Sequence, residues 1–250
     1  MRVIGFAIVF AVSLVVVPLT AEPQPALPKV GYLSPGSVSD PRRAALLGAF
    51  RQGMHDLGYV EGKNLVIEVR FDQGHYDRLA ALAIELVRLK VDIIVAYSTP
   101  ASQAARNATM SIPIVMSTVV DPVRTGLVAG LGHPGGNVTG LSLMAPEMVG
   151  KQVQLLRELL PRVSRIAVLG NPANASTLPQ LREAEVAAQA LGLRLQLLEA
   201  REPDDLDRAF AAMTREHAGG LIVLVDGILA DSRIRIARLA AKAHLPLSME

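Results

Sequence analysis

The sequence predicts an α/β fold of two doubly wound parallel-sheet lobes with a central cleft, and three observations carry that prediction. The chain repeats itself: Val30-Gly31-Tyr32-Leu33-Ser34-Pro35 returns as Ile166-Ala167-Val168-Leu169-Gly170-Asn171-Pro172, and Val91–Ala96 returns as Gly220–Val225, about 130 residues later. Short apolar runs alternate strictly with helical patterns, as in parallel sheets covered on both faces. Half of the residues are apolar and 19% are charged, enough for two packed cores and too little charge for a disordered chain.

Taken in order, the chain opens on a different material. Arg2 gives a positive start, Ile4–Val17 is apolar but for Gly5 and Ser13, and Pro18-Leu19-Thr20-Ala21 offers a small residue for cleavage. The apolar core is shorter than the roughly 20 residues of a membrane span, so a cleaved signal peptide over 1–21 is expected rather than an anchor. A Pro-rich linker, 22–28, follows. The chain has no cysteine, hence no thiol for a lipid tether. The mature protein is expected to be a free monomer in the periplasm.

The N-terminal lobe is expected over 29–143. Lys29–Leu33 reads as its first strand. Asp40-Pro41 starts a helix, with Asp as cap and Pro in the first turn. Its apolar stripe is Leu46, Leu47, Phe50, Met54 and Leu57, and Gly58 stops it. Strands at Asn64–Arg70 and Val91–Ala96 flank a helix over Tyr76–Leu89, whose stripe is Leu79, Leu82, Ala83, Leu86 and Leu89. A short helix after Ser98-Thr99-Pro100 and a strand at Pro113–Met116 come next. Asp121-Pro122 opens a loop and a short helix before a strand at Asn137–Leu141. The C-terminal lobe, 144–250, is expected to hold helices at Pro146–Leu160, Leu178–Leu191, Asp204–Arg215 and Ser232–Ala243. Strands at Ile166–Leu169, Leu193–Leu198 and Leu221–Val225 alternate with these, and Leu245–Ser248 begins another.

In open parallel sheets ligands bind beyond the carboxyl ends of the strands, where strand order reverses. With an order 2-1-3 in each lobe, that point lies between the loops after the first and third strands. These loops are Ser34–Ser37 with Pro35, Tyr97–Pro100, Gly170–Asn174 and Asp226-Gly227. Ser98-Thr99-Pro100 makes a helix N-terminus suited to an anion such as a carboxylate, or a plain cap. Asn171 and Asn174, on either side of Pro172, can both donate and accept. Asp226 reads either as the acceptor of a ligand ammonium or as a turn cap. Tyr32 and Tyr97 are the rings available for stacking, or core residues, and Asp121 is a structural turn before it is a contact.

Other chemistry lacks support. The formal charge is +2 and no basic stripe occurs, which argues against nucleic acid. The histidines have no metal spacing, and no zinc-protease, P-loop or nucleophile-elbow motif is present. Gly130-Leu131-Gly132-His133-Pro134-Gly135 fits a dinucleotide pattern by letter, but Pro134 intrudes and a strand follows it, so no cofactor is expected.

Read together, Val30–Ser37, Leu57-Gly58-Tyr59-Val60-Glu61-Gly62-Lys63-Asn64, Asp121-Pro122-Val123, Pro134–Gly140 and Asn171–Asn174 resemble a known family. The sequence is similar to the ABC-transporter substrate-binding proteins of the periplasmic-binding-protein type 1 superfamily, which include tryptophan- and phenylalanine-binding members. The resemblance spans Lys29 to Leu247. It implies two lobes on a hinge that close over a small organic solute and dock on a membrane ABC permease. It implies that Ser34, Pro35, Thr99, Pro100, Asn171 and Asp226 lie near the solute, with no catalysis. Similar proteins continue beyond the equivalent of Glu250 to complete lobe two and cross back, so a truncated second lobe with impaired binding is expected. The alternatives are an extracytoplasmic sensory domain and a nucleotide-dependent Rossmann-like enzyme.

Overall fold

A computed structural model of the protein describes residues 27–143 and 145–249. The expected signal peptide, most of the expected linker, Met144 and Glu250 lie outside the described residues. Among the described residues no helix is long and apolar enough to cross a membrane.

The first half of the chain runs β1 (Lys29–Ser34), α1 (Pro41–Asp56), β2 (Val66–Phe71), α2 (Leu79–Arg88), β3 (Ile93–Tyr97), α3 (Thr99–Ala108), β4 (Ile114–Val120) and β5 (Val138–Leu143). Its five strands are all parallel, in the order β2-β1-β3-β4-β5. The second half runs α4 (Ala145–Leu159), β6 (Arg165–Gly170), α5 (Thr177–Ala190), β7 (Arg194–Glu199), α6 (Asp205–Arg215), β8 (Leu221–Val223), α7 (Gly227–Asp231), α8 (Arg233–Lys242) and β9 (Leu247–Ser248). Its sheet is also parallel, ordered β7-β6-β8-β9. Both sheets therefore reverse direction of growth next to their first strand, and both loops at each reversal point the same way.

Apolar burial holds each lobe. Leu33, Ile94 and Ile114 are wholly buried between sheet one and helices α2 and α3. Such side chains contribute about 1.5–3 kcal/mol each by leaving water. Tyr32, Leu47, Leu65, Ile67 and Phe71 form a second layer under α1 on the opposite face. In lobe two, α4 and α5 cover one face through Val153, Ile166, Val168 and Ala184, and α6 and α8 cover the other through Leu169, Leu206, Met213 and Ile236.

Local chemistry explains the helix starts. Asp40 Oδ1 accepts the Arg42 N–H at 2.7 Å and Pro41 occupies the first turn of α1. Several expectations need correction. Leu57 is 74% exposed, because it stands at the end of α1 where the chain unwinds into Gly58 (φ +87°). The pattern from Tyr76 begins as a 3₁₀ turn, and α2 proper starts at Leu79. No helix follows Asp121-Pro122. Successive turns close there instead, with Thr125 N–H on Asp121 O at 3.0 Å and Leu127 N–H on Pro122 O at 2.8 Å. β4 continues past Met116 to Val120, across a register break at which Thr118 takes φ +58°. The short α7, capped by Asp226, is an element that apolar periodicity did not announce.

Candidate functional site

The start of α1, the loop after β3 and the end of β4 meet the loops after β6 and β8 between the two lobes around a cavity of ≈ 40 Å³, lined among others by Arg43, Tyr97, Ser98, Thr99, Asn174 and Asp226. Asp226 organises the lobe-two side. Its Oδ1 accepts the N–H groups of Ile228 (2.9 Å) and Leu229 (3.1 Å), which starts α7. Its Oδ2 accepts Asn174 Nδ2 at 2.9 Å and the Tyr76 hydroxyl at 2.8 Å, and Asn171 Nδ2 stands 3.5 Å from Oδ1. Tyr76 belongs to lobe one, so this carboxylate joins the lobes. Burial first, and Asp226 second, push the Tyr76 phenol well above its usual pKa. It is therefore a donor at any physiological pH, and its oxygen in turn accepts the Gly227 N–H at 3.1 Å.

Arg43 organises the lobe-one side. It is only 1% exposed, at a position in register with Leu47, Phe50 and Met54 on the inner face of α1. Its Nε lies 2.9 and 3.0 Å from the two oxygens of Asp231, and Nη2 donates to Gly227 O at 3.0 Å. The guanidinium carbon sits 5.0 Å from the centroid of the Tyr97 ring, a cation–π contact. Gly36, at φ +87°, is required beside this pair. A Cβ there would stand 2.6 Å from Asp231 Oδ2 and 3.0 Å from Arg43 Nε.

Ser98 holds an unusual backbone, φ 85° and ψ 163°, a region that costs a non-glycine residue about 1–3 kcal/mol and collects at functional sites. In this conformation its hydroxyl does not cap α3 as the sequence suggested; the Oγ is buried with no hydrogen-bond partner. Thr99 instead turns its Oγ to the Val120 N–H (3.2 Å). Thr118, also in the left-handed region, lines the same cavity.

The sequence-nominated residues thus fall into groups. Tyr97, Ser98, Thr99, Asn174 and Asp226 share the cavity wall. Asn171 reaches it through Asp226, and Pro35 faces lobe two, with its Cβ 3.4 Å from where a Cβ on Gly227 would stand. Ser34 and Pro100 are buried just behind the same loops. Tyr32 lies in the lobe-one core, its ring 5.5 Å from Phe50 and 6.2 Å from Phe71. Asp121 caps its own turn, accepting the Arg124 N–H at 3.0 Å. Pro172 lines a separate, mostly apolar cavity of ≈ 460 Å³ under α5. Sequence reasoning missed Arg43, Tyr76, Asp72 and Asp231. For Arg43 a signal was present: a charged residue on the apolar stripe of an amphipathic helix.

Asp72, wholly buried at the end of β2, accepts the Gly36 and Gly74 N–H groups on Oδ1, both at 2.8 Å, while Oδ2 has no partner. Burial raises its pKa, opposed by those two bonds and then by the charges of Arg43 and His75. The native state therefore holds this proton more tightly than the unfolded chain. Its favourable contribution is full below the ordinary carboxylate pKa and is lost as pH rises through the raised native value. Asp72→Asn keeps the Oδ1 acceptor without the buried charge. In urea unfolding the variant should be at least as stable as the parent at pH 7, with the gap closing towards pH 3. A variant weaker at pH 7 and equal at pH 3 would show instead that Arg43 depends on the Asp72 charge.

Comparison with known proteins accounts for this geometry. The family model described as ABC transporter substrate binding protein matches residues 36–249. A tyrosine-binding protein of Clostridioides difficile is 29% identical over 198 residues, which cover 79% of this chain and 56% of that protein. The chain therefore spans little more than half the length of this curated relative. A solved conserved domain protein of Vibrio cholerae is similar at 32% identity and a TM-score of 0.80, over 89% of this chain and 73% of that one. The ABC domain of Streptococcus pneumoniae solved in complex with L-Trp is 25% identical with a TM-score of 0.79, over 90% of this chain and 74% of that one. With a family match that takes in all but the first strand of the two sheets, and solved relatives of the same periplasmic-binding-protein type 1 architecture, the chain belongs to the ABC transporter substrate-binding protein family.

Proposed function

We propose that this protein captures a small organic solute, an amino acid, between its two lobes outside the cytoplasm and delivers it to the membrane permease of an ABC importer. One observation carries the reading: α1 and the loop after β3 from lobe one, and the loops after β6 and β8 from lobe two, bring polar groups to a single cavity between the lobes. The amino-acid class is supported by the tyrosine-binding relative and by the relative solved with L-Trp. In this reading Ser34, Pro35, Tyr97, Ser98, Thr99 and Pro100 serve the solute from lobe one (29–143), and Asn171, Asn174 and Asp226 from lobe two (144–250), with Pro172 fixing the loop between the two asparagines. Export would use residues 1–21 as a removable leader and 22–28 as a linker.

Ligand pockets span about 300–1,000 Å³, and the cavity here is ≈ 40 Å³. The lobes must therefore part to admit a solute, breaking the Tyr76–Asp226 and Arg43–Asp231 contacts, and close again on it. Tighter solute contacts in the closed form would drive that shift of population. A thermal-shift screen of the full chain against the common L-amino acids and nucleosides tests the reading. A solute at a hundred times its Kd stabilises by about 2.7 kcal/mol, and about 5–10 °C is expected for a chain of this size. If no compound in either set raises the melting temperature, the reading fails.

A further inference from the structure

We propose that Arg43, with Arg42 beside it, receives a carboxylate of the solute, and that Asp231 is a built-in carboxylate which the solute displaces from Arg43. The inference rests on the solute-binding reading above and names the group recognised.

An arginine buried to 1% exposure is costly unless its donors are matched. Those of Arg43 are matched only in part. A single Nε serves both oxygens of Asp231, at 2.9 and 3.0 Å, and Nη2 serves Gly227 O. The planar fork that suits a carboxylate bidentately is not used that way, and Nη1 has no partner at all. Arg42 Nη1 lies 3.5 Å from Asp231 Oδ1 without a hydrogen bond, and the Ser98 hydroxyl is likewise unmatched. Among the described residues six buried side-chain atoms lack partners, and three of them, on Arg42, Arg43 and Ser98, belong to residues lining this one cavity. All three can donate. The ten-residue helix α3 starts at the same wall, adding the positive end of its dipole. With two of the three donors on guanidinium groups, the acceptor that suits them best is an anion, and ≈ 40 Å³ is about the room that one or two waters take, the scale of a carboxylate.

The acidic groups at the site play different parts. Asp226 already accepts from Ile228, Leu229, Asn174 and Tyr76, and has little capacity left. Asp231 depends on the arginines alone. Burial raises its pKa, Arg43 opposes that rise, Asp40 adds to it and Arg42 opposes it. Arg43 and Asp231 are 188 residues apart in sequence and sit on opposite lobes. Opening the lobes necessarily separates them, and a solute carboxylate then meets an arginine freed of its internal partner.

The test uses the full chain and two matched sets of probes: the L-amino acids and their carboxamides, which lack the acid. Isothermal titration should give an acid-to-amide preference of about 10- to 100-fold. Arg43→Gln should bring that ratio to near one, and Arg43→Lys should keep part of it. Asp231→Asn removes the competitor and should tighten binding of the acids, with the amides little changed. Should Arg43→Gln fail to fold, the Asp231→Asn result decides alone, since a purely structural ion pair would weaken acids and amides together. Amides that bind as well as acids, or a nucleoside that binds where amino acids do not, would overturn the carboxylate assignment and leave the solute-binding reading standing. Absence of binding by every probe would overturn both.

Discussion

Asp226→Ala should lower the unfolding free energy by about 3–5 kcal/mol, because each buried donor left without an acceptor costs about 1–3 kcal/mol and the losses share one site. The donors at stake are the Ile228 and Leu229 N–H groups, Asn174 Nδ2 and the Tyr76 hydroxyl, all within 3.1 Å of the carboxylate. The substitution removes the cap of α7 and the polar link between the lobes together. Asp226→Asn would be milder, since one oxygen remains for the backbone pair while its amide group confronts Asn174 and Tyr76. Tyr76→Phe isolates the link and should cost about 1 kcal/mol, the net worth of an ordinary hydrogen bond. Urea unfolding followed by circular dichroism measures all three. An alanine variant within about 1 kcal/mol of the parent would mean that water replaces the carboxylate, and that the network is incidental.

The second large effect is expected at Gly140, far from the cleft. It pairs with Met116 across β4 and β5, next to the register break, at φ +138°. A Cβ there would overlap the Met116 carbonyl oxygen and stand 2.8 Å from its nitrogen and 2.9 Å from its carbonyl carbon. Backbone cannot swing aside as a flexible side-chain tip can. Gly140→Ala should therefore detach β5 from the sheet, at a cost of about 3 kcal/mol or more, among the large single-site losses with a named cause. Gly150→Ala, in α4 with nothing within 4 Å of the new carbon, is the control. It should be neutral or stabilising by about 0.5–1 kcal/mol, as alanine favours a helix interior. Equal melting temperatures for the two variants would show that β5 shifts at little cost.

Much of this architecture was legible because its causes act over short stretches. Val30–Leu33, Ile93–Ala96, Ile166–Leu169 and Leu221–Val225 are apolar without alternation, which marks central parallel strands. Asp40-Pro41 and Gly58 mark the ends of α1 through local bonding and backbone freedom. From these the reversal points, and so the loops that face the cleft, follow by topology. What the sequence misread at Ser98 and left open at Asp226 and Tyr32 has a different cause. Ser98 looked like a helix cap, yet its backbone, whose N–H bonds to Ser117 O at 2.8 Å, leaves the hydroxyl unpartnered. Asp226 could serve a ligand or a turn, and the structure shows it committed to a turn and to Tyr76, 150 residues away. Tyr32 was placed in the core by Phe50 and Phe71, one on a helix and one on the neighbouring strand.

By itself, then, the sequence determined a duplicated α/β chain with two parallel sheets and four loops gathered at their carboxyl ends, since periodicity and turn chemistry are local. Only the tertiary structure decided which polar atoms at that meeting point are already satisfied and which are not. A hydrogen bond or ion pair depends on the group brought opposite it, and for Arg43 that group is Asp231, contributed by the other lobe.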